Sequence, residues 1–510
     1  MARPMLFNST EFIFVFLPLA VLVHFALARV SAPAAILGTT LSSLVFYAWW
    51  NPPYVLLPVA SIVANFWFAR LIAAAEKPAA KRLLVLGIVS NILVLCYWKY
   101  ADFLLSIVYS YKAAPPVVPL ALSFTTFVQI AFLVDVYRRK IPLDFSRYAF
   151  FVAFFPHLIA GPIVRWNSFG RQLGDDARFR LDWSNVALGL TIFIFGLAKK
   201  VLIADSLSPH VGAVFDAAAR GDPVTALAAW GGALAFSAQI YFDFSGYSEM
   251  AIGLGLLFNF RLPVNFAAPL RATSILDFWR RWHITLSQWL RDYVYGPLTF
   301  GRPMGWWRAI AVMITMTLAG LWHGAGWTFV VWGAYHGCLL TINTIWQRIV
   351  PERDEPTRAG RFVGWALTFT AFVVGSVLFR AADIETSRHL LAAMGGMGQP
   401  PIAEALTLQH DWWAIRQGWI SEAFIRTWLG STWSVTGTAL TLLALAIALL
   451  LPDPMEITGY REGDAQSAWR RNVGVLAWRP SLIALCAAFL LFGEVFFRLG
   501  QVSEFLYYQF

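Results

Sequence analysis

Charged side chains are scarce in this sequence. Asp, Glu, Lys and Arg together make up 13% of its 510 residues, where a soluble domain carries about 25%. Hydrophobic residues make up 58%, and the mean hydropathy is +0.61. Because apolar stretches recur from one end of the sequence to the other, this composition excludes an ordinary soluble enzyme. It predicts an all-α polytopic membrane protein with roughly ten to twelve membrane helices.

Cysteine is also scarce, and no repeat of fixed period is present. Cys96, Cys338 and Cys486 each lie within an apolar run, so we expect buried thiols rather than a disulfide framework or a zinc site. The two halves lack the inverted symmetry that many transporters show. The net charge of +10 comes without a compact basic domain, which favours basic cytoplasmic loops near anionic lipid over nucleic-acid binding.

The basic residues between the apolar segments predict how the chain crosses the membrane. Lys and Arg gather in four connecting stretches that indicate cytoplasmic loops, at residues 70–82, 138–147, 348–361 and 461–479. Counting spans outward from the first and last of these places both termini on the outer face. The tryptophan-rich segment 380–432 then also lies outside. Candidate spans lie near residues 11–28, 34–50, 53–72, 82–98 and 117–136. Shorter or interrupted ones follow near residues 148–164, 185–204 and 226–258, and then near 307–322, 327–346, 362–379, 435–451 and 480–497.

The middle of the chain departs from this pattern. Charged residues are mixed with tryptophan and tyrosine between Arg261 and Arg308, and such a stretch cannot cross lipid as a helix. The run FFPHLIAGPIVRW (154–166) is interrupted by two prolines and a glycine. Non-helical backbone at membrane depth is tolerated only where protein or a water-filled cavity satisfies it. Both stretches therefore predict re-entrant or interfacial helices.

Among the eight histidines, His323 has the most unusual surroundings. It lies in LAGLWHGAGWTF (318–329), within a run that has no charge between Arg308 and Arg348. Ionisable groups at membrane depth are functional candidates by default. Burial among apolar groups favours a neutral imidazole, which can accept a proton from a hydroxyl, and Gly324 permits close approach of a substrate or of backbone. A core histidine hydrogen-bonded to a neighbouring helix explains the same residues equally well.

Neither a metal centre nor a serine or cysteine nucleophile is indicated near His323. His336 is thirteen residues further along the chain, which on one helix is a rise of about 20 Å with the side chain on the far face. The surrounding run contains no carboxylate, and the sequence has no H-x-x-x-H or G-x-S-x-G motif. We therefore expect no bound metal and no acyl-enzyme, and we expect His336 to serve packing.

The sequence resembles the membrane-bound O-acyltransferase family in three central blocks. These are YFDFSGYSEMAIGLGLLFNFRLPVNF (241–266), DFWRRWHITLSQWLRDYVYGPL (277–298) and GLWHGAGWTFVVWGAYHG (320–337). Within the family it is most similar to the bacterial alginate O-acetyltransferase branch, which AGPIVR (160–165) and the ending EFLYYQF (504–510) also resemble.

The resemblance implies a fold in which tilted helices ring a thinned centre, with re-entrant and interfacial helices inside. One domain would cover residues 1–510. We expect N-terminal membrane helices in residues 1–147 and a catalytic core with re-entrant elements in residues 148–346. C-terminal helices, together with the outer segment 380–432, would occupy residues 347–510.

The resemblance also implies a chemistry, the transfer of an acyl group from a thioester to a hydroxyl. The family's catalytic histidine matches His323, between Trp322 and Gly324, and its second histidine matches His283. We hypothesise that His323 is the general base on the acceptor hydroxyl. His283 would orient the donor or stabilise the oxyanion.

The donor is expected to be acetyl-CoA or another acyl thioester, with no tightly bound cofactor. Candidates for contacts with its phosphates are Arg280, Arg281 and Arg291. An i,i+4 ion pair with Asp277 explains Arg281 equally well. The sequence departs from the branch beside these residues, where NFAAPL (265–270) replaces NFNHPY and YVYGPLTFGR (293–302) replaces a pattern related to YIPLGGNR. These departures leave the details of the donor open.

The expected acceptor is an exported polysaccharide such as alginate, at the inner membrane of a Gram-negative bacterium, with both termini in the periplasm. In related systems a periplasmic acyltransferase with a serine nucleophile completes the transfer. The expected partners are therefore such an enzyme, the polysaccharide and membrane lipid, and not nucleic acid. Two alternatives stay open at this point: D-alanyl transfer to teichoic acid within the same family, and a proton-coupled transporter.

Overall fold

The apolar runs fold into helices in the computed structural model. The structure describes residues 5–109, 118–138, 141–302, 305–350, 357–397, 433–461, 473–499 and 505–506. Within these ranges every regular element is a helix, which confirms the all-α class. The α-helices of the described residues are α1 (Leu17–Ala28), α2 (Ala32–Trp50), α3 (Leu56–Ala74), α4 (Lys77–Leu95), α5 (Ala101–Tyr109), α6 (Leu122–Arg138), α7 (Phe145–Ala153), α8 (Phe155–Leu158), α9 (Trp166–Gln172), α10 (Trp183–Ala198), α11 (Asp205–Arg220), α12 (Ala226–Leu257), α13 (Ile275–Arg281), α14 (Ile284–Leu290), α15 (Gly296–Thr299), α16 (Trp306–His323), α17 (Trp327–Ile349), α18 (Arg358–Arg380), α19 (Ile384–Ala392), α20 (Val435–Leu450), α21 (Pro454–Thr458) and α22 (Leu482–Phe496).

Several described helical stretches have the length and apolar character that crossing a membrane requires. Two shorter apolar helices accompany them, Phe12–Ala28 and Leu482–Phe496. The chain is a multi-pass membrane protein, and the total of ten to twelve membrane helices stays a prediction. Cys338 and Cys486 are exposed on apolar helices, so the expectation that they are buried was wrong. The six longer stretches are Ala32–Trp50, Pro52–Ala74, Lys77–Ile107, Trp183–Ala219, Arg358–Arg380 and Val435–Thr458.

The two stretches expected to break the pattern of spans do so. Helix α7 ends where Phe154 leaves the helical conformation. The four-residue α8 follows, with Pro156 in its first turn, where a proline costs no helical hydrogen bond. Further along the chain, α13 and α14 have seven residues each. Because a span needs about 20 helical residues, none of these four helices crosses the membrane alone.

The described residues form two compact units, of which the first contains a buried amide network. Asn65 on α3 and Asn91 on α4 donate to each other's side-chain oxygens, at 3.1 and 2.7 Å. The Oε1 atom of Gln129 on α6 accepts a hydrogen bond from Asn65 at 3.1 Å. Such polar contacts hold membrane helices together where lipid competes with apolar packing. The unit comprises Met1–Ala198, Gly246–Asn265 and Pro454–Gln509.

The second unit is built around a helical hairpin of α16 and α17. The hydroxyl of Tyr335 on α17 donates to the carbonyl oxygen of Ala371 on α18 at 3.0 Å. The unit comprises Lys199–Ser245 and Phe266–Asp453. Most of the predicted outer segment, residues 398–432, lies outside the described residues. The compact units join parts of the chain that are distant in sequence, so they do not test divisions made along the sequence. The divisions at residues 147 and 346 therefore stay predictions.

Candidate active site

His323 is the last residue of α16 and lies in the second unit. The helix ends there because Gly324 and Gly326 both adopt extended backbone conformations, with φ of −160° and −166°. Helix α17 then begins at Trp327. The chain thus reverses direction immediately after the histidine, and His323 is 5% exposed.

Aromatic rings enclose the imidazole of His323. Its ring centroid lies 4.9 Å from that of Trp322 and 5.2 Å from that of Trp332. Phe379 on α18 is also 5.2 Å away, with its ring plane at 74° to the imidazole. These neighbours exclude bulk water, which strengthens electrostatic interactions at the site.

Glycines allow α16 and α17 to approach closely beside this histidine. A Cβ atom on Gly320 would overlap the carbonyl oxygen of Phe329, and one on Gly333 would overlap the backbone of Met316. Gly324 has a related role, because a Cβ atom there would collide with the ring of Phe329. The sequence predicted free space beside His323 for a substrate or for backbone. At Gly324 the ring of Phe329 fills that space.

His283 lies in the break between α13 and α14 and has a strained backbone. Its φ and ψ angles are 43° and 53°, in the left-handed region that residues with a side chain rarely adopt. Such conformations persist where the surroundings over-determine them, and they cluster at functional sites. The side chain is completely buried, and this burial lowers the pKa of its imidazole to about 3. His283 is therefore neutral at physiological pH.

The structure brings His283 and His323 together. Their ring centroids are 6.5 Å apart. Trp322 contacts both, at 6.0 Å from His283 and 4.9 Å from His323. His283 also contacts Phe244 of α12, whose ring centroid is 4.7 Å away and whose ring plane is perpendicular to the imidazole. Two imidazoles at this separation can act on one reacting centre, one as a base and the other as a hydrogen-bond partner of the donor.

His336 lies on α17, whereas His323 ends α16, so the expectation that His336 is on the far face of the same helix was wrong. Trp332 separates the two histidines, with its ring centroid 4.8 Å from that of His336 and 5.2 Å from that of His323. The remaining neighbours of His336 are packing contacts, with Trp279 at 5.2 Å and Gly375 so close that a Cβ atom there would lie 2.8 Å from Nε2.

The described residues contain no group of His, Cys, Asp and Glu side chains arranged to hold a metal ion.

The three arginines considered for donor binding differ in their contacts. Arg281 donates to Asp277 at 2.9 Å, the i,i+4 pair that the sequence predicts. Arg291 pairs with the adjacent Asp292 at 2.7 Å, and its side chain is 65% exposed. Arg280 is exposed and has no ion pair within the described part of the chain. It is therefore the one of the three whose charge is most accessible to a phosphate.

Sequence analysis missed a buried group of charges in the same unit. Lys200 lies 2.7 Å from both Asp205 and Asp243, and Lys199 lies 3.5 Å from Asp453. Both lysines occur in the apolar run GLAKKVLIAD (196–205). The principle that singled out His323, that an ionisable group in an apolar run is a functional candidate, applies equally to them.

Comparison with known proteins shows that the two histidines lie in the part of the chain that matches a known family. The family model of the membrane-bound O-acyltransferases matches residues 138–380, which include His283 and His323. The chain is 42% identical over 411 residues to the probable alginate O-acetylase of Azotobacter vinelandii, covering 77% of this chain and 79% of that protein. It is 38% identical over 427 residues to the peptidoglycan O-acetyltransferase of Helicobacter pylori, covering 77% and 80%. Identity to the teichoic acid D-alanyltransferase of Bacillus subtilis is 26% over 241 residues, covering 45% and 60%.

Proposed function

The chain belongs to the membrane-bound O-acyltransferase family and is an O-acyltransferase, and we propose that it passes acetyl groups from a cytoplasmic thioester across the inner membrane to an exported polysaccharide. Membership of an acyltransferase family removes the support for a proton-coupled transporter. The single observation that carries the proposal is the enclosure of His323 by aromatic rings beside a second buried imidazole, His283.

His323 supplies the base in the proposed reaction. One of its ring nitrogens accepts the proton of the acceptor hydroxyl while the hydroxyl oxygen forms a bond to the thioester carbonyl carbon. The carbon–sulfur bond then breaks, and the thiolate leaves with the proton that the imidazolium returns. Proton transfer of this kind contributes about 10²–10⁴-fold. Holding donor and acceptor in contact is worth roughly 7–11 kcal/mol of the barrier.

His283 and the arginines act on the donor in this proposal. A neutral His283 donates a hydrogen bond to the carbonyl oxygen as negative charge develops on it. The donor is acetyl-CoA or a related thioester that binds only as a substrate. Arg280 is the first candidate for its phosphates, because Arg281 and Arg291 already pair with carboxylates.

The names of the relatives support a glycan as the acceptor. Two relatives that match more than three quarters of this chain are named for acetylation, one of alginate and the other of peptidoglycan. We propose an exported polysaccharide such as alginate first and peptidoglycan second. A periplasmic acyltransferase with a serine nucleophile is the proposed partner, receiving the acetyl group outside. The D-alanyl alternative rests on a match to less than half of this chain.

Purified protein in sealed proteoliposomes tests the proposal. Acetyl-CoA labelled in the acetyl group is supplied on one side, and alginate oligomers or peptidoglycan fragments, with or without a serine acetyltransferase, on the other. We expect labelled ester on the glycan and release of free thiol in equal amount. Reaction with a D-alanyl carrier thioester but not with acetyl-CoA would overturn the assignment of the donor. Absence of transfer from any thioester would overturn the proposal as a whole.

A further inference from the structure

A buried ion-pair group surrounds Lys200 in the second unit. Its Nζ atom lies 2.7 Å from Oδ1 of Asp205 and 2.7 Å from Oδ1 of Asp243. The side chains of Lys200 and Asp243 are 4% and 2% exposed, whereas that of Asp205 is 15% exposed. Lys200 is part of the π-helical turn Lys199–Ala204, a distortion often found at functional sites.

A gain in folding stability does not explain why these charges are buried. Removing charges from water costs several kcal/mol for each ion, and apolar replacements of buried ion pairs are often neutral or stabilising. In some proteins a buried pair instead adds a defined geometry, because its charges are satisfied only when the elements that carry them keep a fixed relative position. Asp243 is on α12 and Lys200 precedes α11, so their contact fixes α12 at this residue relative to α11.

The residue that follows Asp243 contacts the active site. Phe244 is completely buried and its ring is perpendicular to His283 at a centroid distance of 4.7 Å. A shift of α12 at Asp243 therefore moves the ring of Phe244 against the imidazole. His283 depends on such contacts, because its left-handed backbone conformation persists only under the constraint of its neighbours.

We propose that Asp243 is a positioning residue for His283, acting through its ion pair with Lys200 and through the ring of Phe244. The inference rests on the proposed function, because His283 must act on the acyl donor. When Asp243 loses its charge, Lys200 retains Asp205, α12 loses its fixed position, and the imidazole of His283 moves away from the donor carbonyl. A displacement of about 1 Å in a catalytic group can cost about 100-fold in rate.

A matched pair of variants separates positioning from stability. Asp243→Asn and Asp205→Asn each remove one carboxylate at the same 2.7 Å distance from Lys200, but only Asp243 adjoins the neighbour of His283. We expect Asp243→Asn to lower kcat for acetyl transfer by about tenfold to 100-fold per folded molecule. Asp205→Asn should keep kcat within about threefold of the wild-type value. Loss of one hydrogen bond to a charged group would produce a larger change than this. Folded protein is quantified by monodisperse elution in detergent.

The second measurement repeats Asp243→Asn in a His283→Ala background, because alanine removes the hydrogen-bond donor that glutamine would keep. A residue that acts through His283 has no further effect once that donor is absent, so the double variant should match His283→Ala alone. If Asp243→Asn fails to fold, Phe244→Leu serves instead, with the same expected loss and the same lack of further effect in the His283→Ala background. Equal effects of Asp243→Asn and Asp205→Asn, or a full further loss in the double variant, would overturn the positioning role. A wild-type protein without acyl transfer would overturn the proposed function and this inference together.

Discussion

Gly320→Ala tests whether the close contact of α16 and α17 holds His323 in place. The added methyl group would lie far inside 3.0 Å of the Phe329 carbonyl oxygen, and the next nearest atom is backbone too, the amide nitrogen of Gly333 at 3.1 Å. Backbone atoms cannot rotate away as a side chain can. The two helices must therefore separate by about 1 Å, which moves His323 relative to Trp332 and His283.

The expected consequences have different sizes. Overpacking a close contact costs about 1–3 kcal/mol of stability, which leaves most of a stable protein folded. A displacement of about 1 Å of a catalytic group costs about 100-fold in rate. Acetyl transfer per folded molecule should therefore fall far more than the amount of folded protein. The measurement combines thermal unfolding in detergent with acetyl-thioester turnover in the same preparation.

Gly212→Ala is the matched control. Gly212 is also within a helix, α11, and the nearest atom to an added Cβ is the Asp216 carboxylate at an ordinary 3.6 Å. Both variants gain the same helix propensity, about 1 kcal/mol over glycine, so their difference isolates the helix contact. Wild-type turnover in Gly320→Ala would refute the claim that this contact positions His323.

Three further predictions concern the other histidines and the orientation of the chain. His336→Gln should retain appreciable O-acetylation in a cell-based ester assay, because its neighbours are packing contacts; a variant without any activity would contradict this. Cysteines at Arg139 and Arg471, which lie outside the described residues, should resist an impermeant thiol reagent in spheroplasts, and labelling of either would reverse the predicted topology. The lowered pKa of His283 means that the unfolded state binds a proton below pH 6.5 while the folded state does not until about pH 3. Stability should therefore fall by roughly 2 kcal/mol between pH 7 and pH 5, and His283→Gln should lack this part of the loss.

Local features of the site could be predicted from the sequence. The prolines of residues 154–166 interrupt helices through their own backbone restrictions, and the two glycines after His323 mark the extended link between α16 and α17. The density of charge around His283 requires short helices at that point. These effects operate within a few residues, so the composition of a short stretch is enough to predict them.

The contacts that complete the site could not be predicted in this way. The distance of 6.5 Å between His283 and His323 depends on how distant helices pack, and no periodicity contains that information. The left-handed backbone of His283 is imposed by its neighbours, because an isolated histidine disfavours it. The partners of Lys200 are likewise set by tertiary structure, although its place in an apolar run indicated that it needed one.

The general-base role of His323 is tested most directly by His323→Gln, with folding and acetyl transfer measured in one preparation. Glutamine keeps a hydrogen-bonding group of similar size but cannot accept the proton. We predict normal yields of monodisperse protein and a loss of acetyl ester on the polysaccharide of at least about 100-fold. If His323 had only a structural role, His323→Gln would instead lower the stability of the protein by about 1–3 kcal/mol. Normal folding with ester formation near the wild-type level would contradict the assignment and transfer the role of base to His283.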